Sequence, residues 1–185
     1  MLKYSDKIVV KGKKYDAVLL KAEKKDAPEL KKLYGAWLEL KNGLKNFESR
    51  APNLPEGISE GAFSLEFDCP RVLDVKGTAA SYDCYNPKTH ERIQIKATTI
   101  RYDLTSFGPD SVWDVLYLLD FYRDGKFDGK FDVYKIPNNL IYGHQISKTQ
   151  TFRDQQKQGR RPRFGIKQKI IEKHSIKPLK TCTIG

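Results

Sequence analysis

The sequence predicts an α/β (α+β) fold in which helices flank a central mixed β-sheet. Three observations predict it: early segments with helical apolar spacing, a middle run of short strands separated by turn residues, and a strand-length apolar stretch that is buried on both faces. In order along the chain, residues 7–21 read as two short strands turning at Lys11-Gly12. "DAPELKKLYGAWLELKNGLKNF" reads as a helix. Pro28 suits its first turn, and Leu30, Leu33, Tyr34, Trp37, Leu38 and Leu44 recur near helical spacing. The prolines and Gly57 of "APNLPEGISEGAF" mark a loop, and Ile58 to Phe67 form a short helix with Glu60 near its start.

"RVLDVKG" and "SYDCY" are two extended pieces, "NPKTHE" is a turn, and "RIQIKATTI" is a strand by its period of two and its β-branched content. "DLTSFGPDS" is a loop. "VWDVLYLLDFY" suits a helix or a central strand, but the Gly-rich turn of "RDGKFDGK" and the following "FDVYKI" favour a hairpin, so residues 115–122 are taken as a buried strand. The remainder is polar and basic, with a short helix near 166–174.

A chain of 185 residues can bury a core, and we expect one domain over 1–185. It divides into a basic helical part at 1–48, a core at 49–143 and a basic part at 144–185. No stretch approaches the ~18 apolar residues of a membrane span, and the N-terminus lacks the apolar run of a signal peptide. Cys69, Cys84 and Cys182 are too few and too scattered for a disulfide frame or a zinc site, so reduced thiols in a cytosolic protein are expected. GxxxxGK[ST] is absent, so no nucleotide cofactor is expected. His90, His144 and His174 have no metal-binding spacing and suit surface or capping roles.

Charge narrows the function. The net charge is +11, and residues 144–185 carry 11 Lys or Arg against 2 Asp or Glu, while residues 49–143 carry 11 against 14. A mildly acidic centre between basic ends suits a metal-using core held against a polyanion by its flanks.

The chemistry centres on "SYDCYNPKTHERIQIKATT". Alternation puts Gln94 and Lys96 on one face of a strand and Ile93 and Ile95 on the other, with Asp83 one short turn upstream. Hydrolysis of a phosphodiester needs a divalent cation, an activated water and a positive group near the developing charge. Mg²⁺ takes hard oxygen ligands, with one or two carboxylates from the protein. Asp83 can supply a carboxylate, Gln94 and the main chain of Ile95 carbonyl oxygens, and Glu60 a second carboxylate directly or through water. Lys96 can orient the attacking water. The other reading of these residues is a solvated polar sheet face.

This arrangement resembles the PD-(D/E)XK nuclease superfamily, in which an aspartate begins one strand and an (E/Q)-x-K triplet lies on the next. Tyr82 stands where proline is common, and Gln94 where glutamate is commoner, which leaves one carboxylate fewer. "LYGAWLEL", "PNLPEGISEGAF", "SYDCYNPKTHERIQIKAT", "DLTSFGP", "WDVLYLLDF" and "DQQKQGRRPRF" are similar to the blocks of a small type II restriction endonuclease family that cuts GCNGC-type sites. The resemblance spans most of residues 33–165 and implies a restriction-endonuclease-like fold in the cytoplasm of a prokaryote. It also implies a catalytic set of Asp83, Gln94 and Lys96 with Glu60 as the helix acid.

Arginine pairs bidentately with guanine O6 and N7, and glutamine pairs with adenine. Arg160, Arg161 and Arg163, separated by Pro162, should lie on an extended segment, where one or two read guanine. The others, with Lys148, Arg153 and Lys157, should hold phosphates, and Gln155 and Gln156 add further donors. The expected partner is double-stranded DNA. A palindromic or near-palindromic target is most simply met by a two-fold homodimer, for which Trp37 and Leu38 are a candidate surface. The rival readings are a non-catalytic basic nucleic-acid-binding protein and a structure-specific or repair nuclease on the same fold.

Overall fold

The structure is a computed structural model, which describes residues 1–77 and 81–184. It begins with a long antiparallel hairpin, β1 (Leu2–Val10) and β2 (Lys13–Lys21), in which Val10 faces Lys13. The two turn residues both have positive φ, 50° at Lys11 and 77° at Gly12. Such a turn matches the right-handed twist of the strands it joins.

Helix α1 (Ala27–Gly43) carries proline in its first turn and buries Leu30, Tyr34, Trp37 and Lys41, an i, i+4, i+7, i+11 stripe. Helix α2 (Glu56–Phe67) follows the proline loop and leads into β3 (Arg71–Val75). The strands β4 (Cys84–Tyr85) and β5 (Arg92–Thr98) flank the Asn-Pro turn, where the Asn86 side chain accepts from the N–H groups of Lys88 and Thr89.

Next come β6 (Thr105–Ser106), β7 (Val115–Asp120) and β8 (Lys130–Ile136). All six residues of β7 are buried, which is why its sequence has no alternation. The last part contains α3 (Asn138–Tyr142), α4 (Phe152–Lys157), β9 (Arg163–Phe164), a π-helical turn at Lys167–Glu172 and β10 (Lys180–Thr183).

Eight strands form one mixed sheet in the order β1-β2-β3-β4-β5-β7-β8-β10, in which β5 and β7 run parallel and the other neighbours antiparallel. The expected helix-flanked mixed sheet is therefore present. Alternation along β5 and β7 divides the core between two faces. On one face Ile93, Ile95, Tyr117 and Leu119 pack with Leu30, Trp37, Ile58 and Phe63 of the two long helices. On the other face Leu116 and Leu118 pack with Phe107, Trp113, Phe152 and Phe164.

The C-terminal part differs from the sequence expectation of a basic tail with one short helix. Phe152, Phe164, Ile166, Ile170 and Ile171 build the second core layer, and β10 closes the sheet against β8. The helix expected near 166–174 is the π-helical turn.

Candidate functional site

Asp83 lies just before β4, and its backbone is clamped from both sides. Its N–H donates to Ile93 O at 2.9 Å, and its carbonyl accepts from Val72 N at 2.9 Å. With the backbone so fixed, the carboxylate is turned along the edge of β5. Oδ2 accepts from the backbone N–H of Ile95 at 2.7 Å and from the side-chain amide of Gln94. The N–H and C=O of one residue in a strand point to the same edge, so the Ile95 carbonyl faces this side as well. Lys96 follows two residues after Gln94 on the same face, half-buried, with its Nζ 5.3 Å from the centroid of the Phe107 ring.

Glu60 comes from the other side of the sheet. It is the fifth residue of α2, 9% exposed, and its Oε2 accepts from Arg71 Nε of β3 at 2.6 Å. Burial first, then the neighbouring Asp83 carboxylate, pushes the Glu60 carboxyl up to about 7 against the pull of Arg71. Burial likewise raises Asp83 to about 6, opposed by the Ile95 N–H and the Lys96 ammonium.

Two buried carboxyls thus resist ionisation together despite two nearby cations. The oxygen donors gathered here, two carboxylates, an amide oxygen and a main-chain carbonyl, are of the kind a hard cation takes, and the Glu56 carboxylate is near enough to raise both acids.

The basic segment is hung on the same face as Lys96. Thr151 caps α4 by accepting from Asp154 N, and Gly159, with φ 69°, turns the chain out of the helix. Residues 160–163 then run extended, with Arg160, Arg161 and Arg163 exposed and Pro162 buried. β9 pairs with β6 through Thr105↔Phe164 and Ser106↔Arg163, and Phe107 N donates to Pro162 O at 3.1 Å. The ring of Phe107, which lies under Lys96, stacks on Phe164 at 5.8 Å. The arginine segment and the lysine are therefore built around one aromatic pair.

Residues 22–173 match the family described as Bsp6I restriction endonuclease. The type II restriction enzyme Bsp6I of Bacillus sp. (strain RFL6) is 37% identical over 165 residues, which cover 86% of this chain and 89% of that protein. The chain belongs to the Bsp6I restriction endonuclease family. It is accordingly a type II site-specific endonuclease, an enzyme that acts on DNA. No solved structure matches it.

In this Bsp6I-family chain the structure brings Asp83, Gln94, Ile95 and Lys96 together on one strand edge, with Glu60 reaching the same junction from α2. Sequence reasoning missed Arg71, which meets Glu60 only because β3 lies beside α2; nothing in "RVLDVKG" marked it.

The exposed cations among the expected DNA contacts are Lys148, Arg153, Lys157, Arg160, Arg161 and Arg163, with Arg153 stacked on Tyr142 at 4.7 Å. The two glutamines have internal partners instead. Gln155 is buried against Gln150, and Gln156 Nε2 donates to Gly108 O at 3.1 Å and Ser111 O at 3.3 Å. Trp37, expected as a candidate for a dimer surface, is 5% exposed within the core and donates to Pro52 O, and Leu38 packs beside it. The three cysteines are free, and all are buried.

Proposed function

We propose that this endonuclease is magnesium-dependent and cuts double-stranded DNA at a GC-rich, GCNGC-like site, acting as a homodimer in the bacterial cytoplasm. The observation that carries the reading is the Asp83 carboxylate pinned to the Ile95 N–H at 2.7 Å, with Lys96 on the same strand face. A polar face turned to solvent would leave Asp83 and Gln94 free; here Gln94 is buried, Asp83 is half-buried, and the two are joined.

Asp83, the Gln94 amide oxygen, the Ile95 carbonyl and Glu60 would hold the cation. Bound there, magnesium would offset the charge of the scissile phosphate and acidify a water. Lys96 orients the attacking water and stabilises the negative charge that develops on the phosphoryl oxygens. The water oxygen bonds to phosphorus as the bond to the 3′ oxygen breaks, leaving a 5′-phosphate and a 3′-hydroxyl. Arg71 holds Glu60 in place beside Asp83.

Arg160, Arg161 and Arg163 have the donor geometry for guanine, and their extended segment is short enough for one or two to enter a major groove. Lys148, Arg153 and Lys157 would contact phosphates on either side. A near-symmetric site supports a two-fold dimer in which each copy cuts one strand.

Plasmid digestion with and without magnesium tests the proposal. Discrete fragments only with magnesium, and a loss of about 10²–10⁴-fold in rate for Lys96→Ala, are expected. Full cleavage by that variant would sink the mechanism. Retarded DNA without cutting would mark a binder, and branch-dependent nicking a structure-specific nuclease.

A further inference from the structure

A cleft of about 730 Å³ lies between α3 and the π-helical turn, lined among others by His144, Arg163, Gln168, Lys169, Lys173 and His174. Among the described residues no Asp or Glu lines it. Neighbouring lysines of the same C-terminal part find acids: Lys167 pairs with Asp120 at 2.5 Å, and Lys180 pairs with Glu66. Arg163, Lys169 and Lys173 enter none of the ion pairs among the described residues.

The crowding of positive charge is felt inside the cleft. Burial lowers the pKa of His144, and Lys173, Lys169 and His174 lower it further. Un-neutralised cations lining one cleft raise the local positive potential and favour an anion there.

The position of the cleft identifies the anion. His144 packs on Phe164 at 4.3 Å, Phe164 stacks on Phe107 at 5.8 Å, and Lys96 lies 5.3 Å over Phe107. Arg163 of β9 lines the cleft, while Arg160 and Arg161 precede it on the same extended segment. A duplex read by that segment and cut near Lys96 would continue across this cleft.

We propose that the cleft is a clamp for the phosphodiester backbone of the DNA flanking the cut site, with Lys169 and Lys173 as its phosphate contacts. The inference rests on the DNA-cutting reading above and extends it to two lysines that contact phosphates and read no bases. Lys169 and Lys173 are both exposed, so their replacement leaves packing intact.

The test is a Lys169→Gln/Lys173→Gln double variant, with Lys169→Arg/Lys173→Arg as control. Binding to a duplex carrying the target and to a scrambled duplex is followed by fluorescence anisotropy without divalent cation, between 50 and 200 mM salt. Each phosphate contact contributes about 0.9 to the slope of log affinity against log salt. The glutamine variant should lose a slope of about 2 and weaken on both duplexes alike, with a loss about tenfold larger at the low-salt end than at the high-salt end. The arginine variant should keep the wild-type slope.

An unchanged slope, or a loss confined to the target duplex, would overturn the clamp. So would an unchanged slope accompanied by dissociation in sedimentation, which would make the cleft an interface between copies. Plasmid cutting by the wild type is scored in parallel. Intact cutting with an unchanged slope removes the clamp alone, whereas no cutting removes the enzyme reading.

Discussion

Arg71 donates to Glu60 at 2.6 Å across the junction of β3 and α2, yet Glu60 is still pushed up to about 7. One guanidinium does not outweigh the burial of this carboxyl beside a second one, Asp83, itself raised to about 6. The site is charged reluctantly until something further neutralises it.

That reluctance has a pH signature. Carboxyls whose folded pKa is raised above ordinary values of 4.5 and 3.8 hold their protons more tightly when folded. Their stabilisation is fully present below about pH 4 and is lost as pH rises through about 6 for Asp83 and about 7 for Glu60. Cation-free protein should therefore lose stability from this pair across that window, by a few kcal/mol. Urea unfolding at steps of pH, compared with Glu60→Gln, isolates the effect. A wild type that gains stability over the variant as pH rises through 7 would contradict it, and magnesium should flatten the loss.

Gln94 donates its amide to Asp83, so Gln94→Glu replaces a hydrogen bond by a third buried carboxylate. Without a divalent cation the variant should lose about 1–3 kcal/mol of stability. With magnesium, the added ligand should lower the concentration needed for half-maximal cutting. Urea midpoints with and without magnesium, together with a magnesium titration of cleavage, check both halves. An equal magnesium requirement would argue that Gln94 lies outside the metal shell.

Arg161→Ala or Arg163→Ala should cost about 1–3 kcal/mol of discrimination at one base pair if that arginine reads guanine. The measurement is cleavage of a set of duplexes, each altered at one position of the target. Unchanged affinity and unchanged site preference in both variants would place base reading elsewhere.

Asp120 has a side chain 1% exposed, and it accepts from Tyr122 N at 3.0 Å, Arg123 N at 3.2 Å and Lys167 Nζ at 2.5 Å. The pair ties the π-helical turn to the end of β7. Lys167→Ala strands that carboxylate and should destabilise the protein by about 3–5 kcal/mol, measured by urea unfolding. A change below about 0.5 kcal/mol would show that the lysine contributes little.

Much of the first core layer and the candidate site was legible because it obeys local periodicity. The hairpin at Lys11-Gly12, the Leu30–Trp37 stripe, the Glu60 helix and the alternation of β5 each follow from spacing and turn chemistry over a few residues. The second layer was not. β6 and β9 have two residues each, too few for any period, and β10 pairs with β8 across more than 40 positions of sequence. The donors of Gln155 and Gln156 looked available for bases because nothing local reveals burial. Trp37 suited the core better than an interface but left both open until α1 met α2.

The sequence by itself determined that Gln94 and Lys96 share a strand face, since side chains alternate with a period of two. It also determined that Arg160, Arg161 and Arg163 cannot line one helical stripe, since Gly159 and Pro162 break the helix among them. Only the tertiary structure decided that Asp83 lies on the Ile95 N–H, that Arg71 holds Glu60, and that the arginines hang beside Phe107 and Lys96. Those contacts join segments 11 to about 60 residues apart, and burial by the whole sheet, not spacing along the chain, sets the energy of the charges within them.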